Sequence, residues 1–141
     1  DLNREVNFEK IVGEILNEYK IEIVKDKWSS NSKYLSDYCI WSDQLSSTFG
    51  NPILIEVKNR LSQKSLEDIF NNVRNTLSHS NAKSVIIFYK ELKGINEQEL
   101  IKYNSKQQIY IKIANLLEEL EENDFNRAIL NCRNKLIHSS S

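Results

Sequence analysis

Residues 53 to 58 read Ile53-Leu54-Ile55-Glu56-Val57-Lys58, an apolar run that ends in an acid and a lysine two positions apart. The turn sequence Gly50-Asn51-Pro52 precedes this run, so the pattern predicts a β-strand. Side chains at positions i and i+2 share one face of a strand, so Glu56 and Lys58 should project together while Ile53, Ile55 and Val57 face the other way. An acid and an amine held side by side at a strand end can bind a metal ion and orient a water molecule.

Two further acid-x-Lys triplets occur in the chain. Glu18-Tyr19-Lys20 lies at the end of a helical pattern, and Glu91-Leu92-Lys93 lies in a polar stretch before Gly94 that is typical of a turn. Neither setting fixes its side chains as a buried strand would. For Glu56-Val57-Lys58 itself, a solvated strand face carrying a simple ion pair is the alternative interpretation.

Asp37 adds a second acid to this pattern. The segment Tyr34 to Trp41 alternates, which puts Asp37 on one face of a predicted strand together with Leu35, Cys39 and Trp41. A charged group in an apolar setting is costly unless it is paired or metal-bound, so Asp37 should have a partner. A hairpin through the loop 42–51 would bring Asp37 close to Glu56. We expect Cys39 and Trp41 to be core residues.

Composition limits the class of protein. The chain has 141 residues, of which 40% are hydrophobic, enough for one domain with a real core. Its apolar runs are too short for a membrane span or a signal peptide. The two cysteines have neither metal-site nor disulfide spacing, which fits a reducing cytoplasm. Since the sequence has no methionine, we expect it to be part of a longer protein with further domains.

Charge is close to balanced, with a net value of −1. A domain that neutralises many phosphates usually carries a basic surplus, so the total does not by itself indicate nucleic-acid binding. The local distribution is uneven, however. Cations concentrate after the acidic triplet, at Lys58, Arg60, Lys64 and Arg74, and acids concentrate in residues 118–122. This pattern predicts a polarised surface.

Hydrophobic periodicity predicts an α/β order of elements. The predicted elements are a helix over 4–19, strands over 20–28, 34–41 and 53–58, a helix from Ser65 to Leu77, a strand from Ser84 to Tyr89, a short strand over 108–113 that continues into a helix through Leu120, and a helix from about Asp124 to His138. The first three strands should form an antiparallel meander. The apolar run 84–89 should be a central parallel strand reached through a helical crossover. The last helix should pack on the sheet or form a dimer or interdomain contact.

In order and context, these segments resemble the PD-(D/E)xK nuclease superfamily, and within it the Mrr-like and Holliday-junction-resolvase-like branch. The matching segments are Asn7-Phe8-Glu9-Lys10 in the first helix, Ser36-Asp37, Glu56-Val57-Lys58, and Gln63-Lys64 before the next helix. The resemblance covers roughly residues 5 to 90. Ser36 stands where the proline that names the superfamily would be, and Ser29-Ser30-Asn31-Ser32 replaces the glycine-rich approach of many relatives.

The resemblance implies a restriction-endonuclease-like fold, a three-layer α-β-α sandwich with a mixed central sheet and an additional C-terminal helix. It would form one domain over 1–141, with a core over about 4–113 and a C-terminal helical part over about 114–138. The implied activity is metal-dependent endonucleolytic hydrolysis of nucleic-acid phosphodiester bonds, with DNA as the expected substrate, as the effector of a restriction or other defence system. The sequence alone does not distinguish DNA from RNA.

The resemblance also assigns roles to particular residues. Asp37, Glu56 and the Val57 carbonyl would bind Mg²⁺ or Mn²⁺. Lys58 would orient the attacking water and offset charge on the phosphorus. Glu9 would be a fourth catalytic residue, and Gln63 and Lys64 would contact the nucleic acid.

Two other functions stay open. The chain could be a catalytically inactive nuclease fold that binds nucleic acid or mediates protein assembly, since a fold does not dictate an activity. It could instead be an interaction domain built on the C-terminal helices. For an active enzyme, double-strand cleavage would need a homodimer, and the expected location is the cytoplasm without a membrane partner.

Overall fold

The structure, a computed structural model, describes residues 2–19, 22–23, 38–78, 82–104 and 108–139. Its elements are α1 (Leu2–Glu18), β1 (Glu22–Ile23), β2 (Tyr38–Trp41), α2 (Ser46–Phe49), β3 (Ile53–Ser62), α3 (Gln63–Ser78), β4 (Ser84–Lys93), α4 (Glu97–Tyr103), β5 (Gln108–Lys112), α5 (Ile113–Leu120) and α6 (Phe125–Ser139). Helices and strands are interspersed along the chain, so the predicted α/β class is confirmed.

The described strands form one mixed sheet in the order β1-β2-β3-β4-β5. Strands β1, β2 and β3 pair antiparallel, whereas β3, β4 and β5 pair parallel. Parallel neighbours need a crossover connection, and α3 supplies it between β3 and β4. The predicted meander and the predicted helical crossover are therefore confirmed.

Strand β4 lies in the interior of the sheet, between β3 and β5. Every residue from Ser84 to Tyr89 is buried. An uninterrupted apolar strand fits this position because both of its faces are covered.

Alternation along the strands divides the core into two clusters on opposite faces of the sheet. The first cluster joins Ile53 and Ile55 of β3 to buried residues of α1, α5 and α6, and the second joins Leu54 to buried residues of α3 and α4. Helices thus pack on both faces, an arrangement compatible with a three-layer α/β fold. The restriction-endonuclease-like assignment within that class stays a prediction.

The last helix packs within the chain. Phe125, Ala128 and Ile129 of α6 are buried in the first cluster together with Leu116 of α5. Among the described helices, none is long and apolar enough to cross a membrane.

Several boundaries differ from the sequence-based expectations. Strand β3 continues to Ser62 and β4 to Lys93, so Glu56-Val57-Lys58 does not close its strand. Glu91-Leu92-Lys93, predicted in a turn, belongs to β4. Helix α4 was not predicted, although Asn96 caps it by accepting a hydrogen bond of 2.8 Å from the Glu99 amide. Trp41, predicted in the core, is 44% exposed.

Candidate active site on strand β3

Glu56 is the only charged side chain that is buried in the described part of the chain, with 4% of its surface exposed. It lies in the interior of β3, where it pairs with Ile87 of β4. One of its carboxyl oxygens, Oε1, is buried without a hydrogen-bond partner among the described residues. A buried polar atom in this state is costly, and such atoms commonly mark a place for a water molecule or an ion.

The surroundings of Glu56 change its acidity. The pKa of the Glu56 carboxyl is raised from 4.5 to about 7, because burial and, to a smaller extent, the Glu9 carboxylate raise it more than the Lys58 ammonium lowers it. Burial is the largest of these effects because it disfavours the charged form. Glu56 therefore gains or loses its proton near neutral pH.

Lys58 lies two residues after Glu56 on the same face of β3. The predicted alternation is confirmed, because Ile53, Ile55 and Val57 pack against the first cluster on the other face. Lys58 is half-buried and pairs in register with Tyr89 of β4. Its effect on the pKa of Glu56 shows that the two side chains interact electrostatically.

Glu9 approaches this pair from helix α1, where its side chain is half-buried. A hydrogen bond of 3.1 Å from the Tyr38 hydroxyl to the Glu9 carbonyl oxygen ties this turn of α1 to strand β2. Gly13, one turn further along α1, leaves the space for that hydroxyl, since a Cβ there would lie 2.7 Å from the Tyr38 oxygen. Tyr38 in turn pairs with Ile55, the residue before Glu56. Glu9 is thus held close enough to Glu56 to affect its pKa.

Asp37, the other predicted carboxylate ligand, lies outside the described residues. The described part of β2 begins at Tyr38, the next residue in the sequence. Within the described residues, no group of three or more His, Cys, Asp or Glu side chains is arranged to hold a metal ion. Glu56 and Glu9 are the two acids that the described structure brings together.

The remaining predicted residues lie further away or on another face. Val57 packs its side chain against the first cluster, so only its backbone could take part in a site. Gln63 and Lys64 are exposed at the start of α3. Gln63 lies seven positions after Glu56, a distance of about 23 Å along an extended strand. The described structure therefore does not bring Gln63 and Lys64 next to Glu56.

Sequence reasoning missed two residues near the site. The Tyr38 hydroxyl bonds a residue 29 positions away, a contact that no local pattern indicates. Asn59, directly after Lys58, has a buried side-chain oxygen without a hydrogen-bond partner among the described residues. The position of Asn59, a polar residue directly after the acid-x-Lys triplet, was the available indication in the sequence that it lies near the site.

A cavity of about 240 Å³ lies one strand away from Lys58, beside Tyr89 of β4 and the carboxyl end of β5. Tyr89, the register partner of Lys58, forms part of its wall. Four of its charged wall residues form ion pairs, Lys112 with Glu97 at 3.9 Å and Lys135 with Glu119. Neither Glu56 nor Lys58 lines the cavity, so it is separate from the candidate site.

Comparison of the chain with protein-family models, with curated proteins and with solved structures found no match. The functional argument therefore rests on the residues and their arrangement.

Proposed function

We propose that this chain is a metal-dependent endonuclease domain of the PD-(D/E)xK type that hydrolyses phosphodiester bonds in DNA. The observation that carries the proposal is Glu56, a buried carboxyl with an unpartnered oxygen, beside Lys58 on one strand and within electrostatic reach of Glu9. A plain surface ion pair does not usually combine two acids and an amine in a partly buried setting. The residue types and their order along the chain also agree with the resemblance.

The topology supports the same proposal. An antiparallel hairpin of β2 and β3 is followed by a helical crossover to the parallel strand β4, and helices pack on both faces of the sheet. This arrangement is compatible with the restriction-endonuclease-like sandwich that the proposal requires. It also brings α1, which carries Glu9, against the strand that carries Glu56.

The chemistry of the site fits a hard divalent cation. Mg²⁺ and Mn²⁺ prefer oxygen ligands, and the unpartnered Oε1 of Glu56 is a buried oxygen of that kind. Glu56, Asp37 and the Val57 carbonyl would hold the ion, which would polarise the phosphoryl group and lower the pKa of the attacking water. A cation would also stabilise the charged form of Glu56, which burial otherwise disfavours.

The protein groups would position the reactants around this centre. Lys58 would hold the attacking water and offset the negative charge that develops on the phosphoryl oxygens. Glu9, held by the Tyr38 hydrogen bond, would accept a hydrogen bond from a water molecule of the site. The half-buried setting of Lys58 and Glu9 limits competition from bulk solvent.

Nicking of supercoiled plasmid by the purified chain, with Mg²⁺, Mn²⁺ or EDTA, tests the proposal. Glu56→Gln and Lys58→Ala should each abolish metal-dependent cutting, while Glu122→Gln and Lys83→Ala, at exposed positions, should leave it intact. Melting temperatures would confirm that all four variants fold. Cutting that persists in folded Glu56→Gln, or that does not require metal, would overturn the proposal.

One observation favours a second candidate, a nuclease fold that binds nucleic acid without cutting it. The described residues bring together two carboxylates rather than three. If the wild type binds DNA but does not cut it, and Mn²⁺ does not raise its melting temperature, the binding module is the better description. The defence role, the cytoplasmic location, further domains and a homodimer for double-strand cleavage belong to the nuclease proposal and depend on it.

A further inference from the structure

Strands β3 and β4 continue together beyond the described ends of their pairing with β2 and β5. The described pairing of β2 with β3 reaches Ile55, and that of β5 with β4 reaches Tyr89. Further along, the two strands continue as a parallel pair through Arg60–Glu91, Leu61–Leu92 and Ser62–Lys93. We call residues 59–62 and 90–93 the β3–β4 extension.

The two faces of the β3–β4 extension differ sharply. Leu61 is fully buried and Leu92 half-buried, and both belong to the second cluster. Arg60, Glu91 and Lys93 are exposed. Because 60 and 91 pair on one side of Leu61–Leu92 and 62 and 93 on the other, Lys93 shares its face with Arg60 and Glu91. The face with Leu61 and Leu92 therefore anchors the extension to the core. The face with Arg60, Glu91 and Lys93 is exposed.

The exposed charge of the β3–β4 extension is mainly positive. The extension and the start of α3 carry four exposed cations, Arg60, Lys64, Lys90 and Lys93. Glu91 is the one acid in residues 59–64 and 90–94, and its Oε1 lies 2.6 Å from the Nε of Arg60. In the described part of the chain, no carboxylate lies within salt-bridge distance of the three lysines. A chain of net charge −1 thus concentrates unpaired cations at one place.

We propose that the β3–β4 extension binds the phosphate backbone of duplex DNA. This inference rests on the proposed function, because it places the substrate beside Glu56 and Lys58. Arg60 lies four residues after Glu56 on the same strand, about 13 Å along it. Lysine and arginine side chains that neutralise phosphates release condensed counterions, which supplies most of the sequence-independent affinity for DNA.

The composition of the extension favours a duplex over a single strand. Proteins that bind single strands stack the bases on aromatic side chains. Residues 58–64 and 90–94 contain no aromatic residue, so this surface offers cations without a stacking platform.

Exposed lysines on strand ends also deter unwanted strand pairing, which is the alternative explanation for this surface. Binding measurements separate the two. The full chain would be titrated, in EDTA so that no cutting occurs, against a short fluorescent DNA duplex at several salt concentrations, and followed by anisotropy. The variants would be Lys90→Ala, Lys93→Ala and their double variant, with Lys83→Ala as the matched control at the opposite end of β4.

Each extension lysine that contacts a phosphate should contribute about tenfold in affinity at 0.1 M salt and about 0.9 to the slope of log K against log salt. The double variant should therefore bind at least about tenfold more weakly, with a slope smaller by about 1 to 2, while Lys83→Ala binds as the wild type does. Melting temperatures should not change, since these side chains are exposed.

Three results would overturn the inference. They are no binding of duplex DNA by the wild type, equal losses in Lys83→Ala and the extension variants, and tighter binding of single-stranded DNA or duplex RNA than of duplex DNA. The outcome is independent of cleavage. Binding through the extension without plasmid nicking would retain this inference and reject the nuclease proposal. Nicking that is unaffected in the double variant would retain the nuclease proposal and reject this inference.

Discussion

The hydroxyl of Tyr38 donates a hydrogen bond of 3.1 Å to the backbone carbonyl oxygen of Glu9, and it joins the first helix to the strand that pairs with Ile55. Glu56 is the next residue after Ile55. The Tyr38 side chain thus ties the turn of α1 that carries Glu9 to the strand beside Glu56, in addition to the buried core contacts of α1 with β3.

Tyr38→Phe should reduce both stability and activity. Loss of one hydrogen bond should lower the free energy of unfolding by about 1 kcal/mol. It should also lower plasmid nicking, because Glu9 would no longer be held beside Glu56. Denaturant unfolding and nicking rates measure the two effects.

Tyr19→Phe is the matched control for this change. Its hydroxyl also donates to a backbone carbonyl, that of Leu120, at 3.5 Å. The control should lose no more stability than Tyr38→Phe and should keep full nicking activity. Equal activity losses in both variants would show that stability alone, rather than the position of Glu9, explains the effect.

Gly13→Ala tests the same junction from the helix side. The added Cβ would lie 2.7 Å from the Tyr38 oxygen, so the Tyr38 ring or α1 must shift, and we expect a loss of about 1 to 3 kcal/mol. In a Tyr38→Phe background the oxygen is gone, and alanine is the better helix former by about 1 kcal/mol. There the same substitution should cost much less or should stabilise the protein.

A double-mutant cycle from denaturant unfolding measures this coupling. A Gly13→Ala cost that is the same with tyrosine and with phenylalanine at position 38 would contradict the steric explanation.

The sequence predicted the parts of the fold that follow from local periodicity. The alternation of Ile53 to Lys58 and the apolar run 84–89 indicate strands directly, because a two-residue period and continuous burial are properties of the sequence itself. The extension 59–62 and 90–93 was not predicted, since its polar residues have no apolar period and the pairing of two distant segments makes it a strand. The hydrogen bond from Tyr38 to Glu9 depends on tertiary packing, which local sequence does not encode.

The sequence likewise predicted one part of the candidate site and not the other. The shared face of Glu56 and Lys58 followed from strand geometry. The burial of Glu56 to 4% exposure, and with it the raised pKa, depends on the helices packed over the sheet and could not be read from the sequence.

Stability should depend on pH through Glu56. Its pKa rises from the ordinary 4.5 to about 7 in the folded protein, so the folded state binds a proton more tightly than the unfolded state does. The contribution of Glu56 to stability is then greatest below about pH 4.5. It falls as the pH rises from there through about 7, and it is level at higher pH. The total fall should be about 3 kcal/mol.

Thermal unfolding in EDTA across this pH range tests the sign. Glu56→Gln should lack this fall and should melt above the wild type at pH 8, while Glu122→Gln should behave as the wild type. Saturating Mg²⁺ should also reduce the fall, because a cation stabilises the carboxylate. A wild type that becomes more stable as pH rises through this range would refute the assignment.

Glu9→Gln should move the titration of Glu56. The Glu9 carboxylate raises the pKa of Glu56, so a neutral glutamine of similar size should lower it and shift the stability midpoint to lower pH. The shift should be smaller than the change that burial causes, because burial is the largest contribution. Glu14→Gln, an exposed position on the same helix, is the matched control and should leave the midpoint in place. A midpoint that does not move in Glu9→Gln would show that the two acids are electrostatically independent, and Glu9 would then have no part in the site.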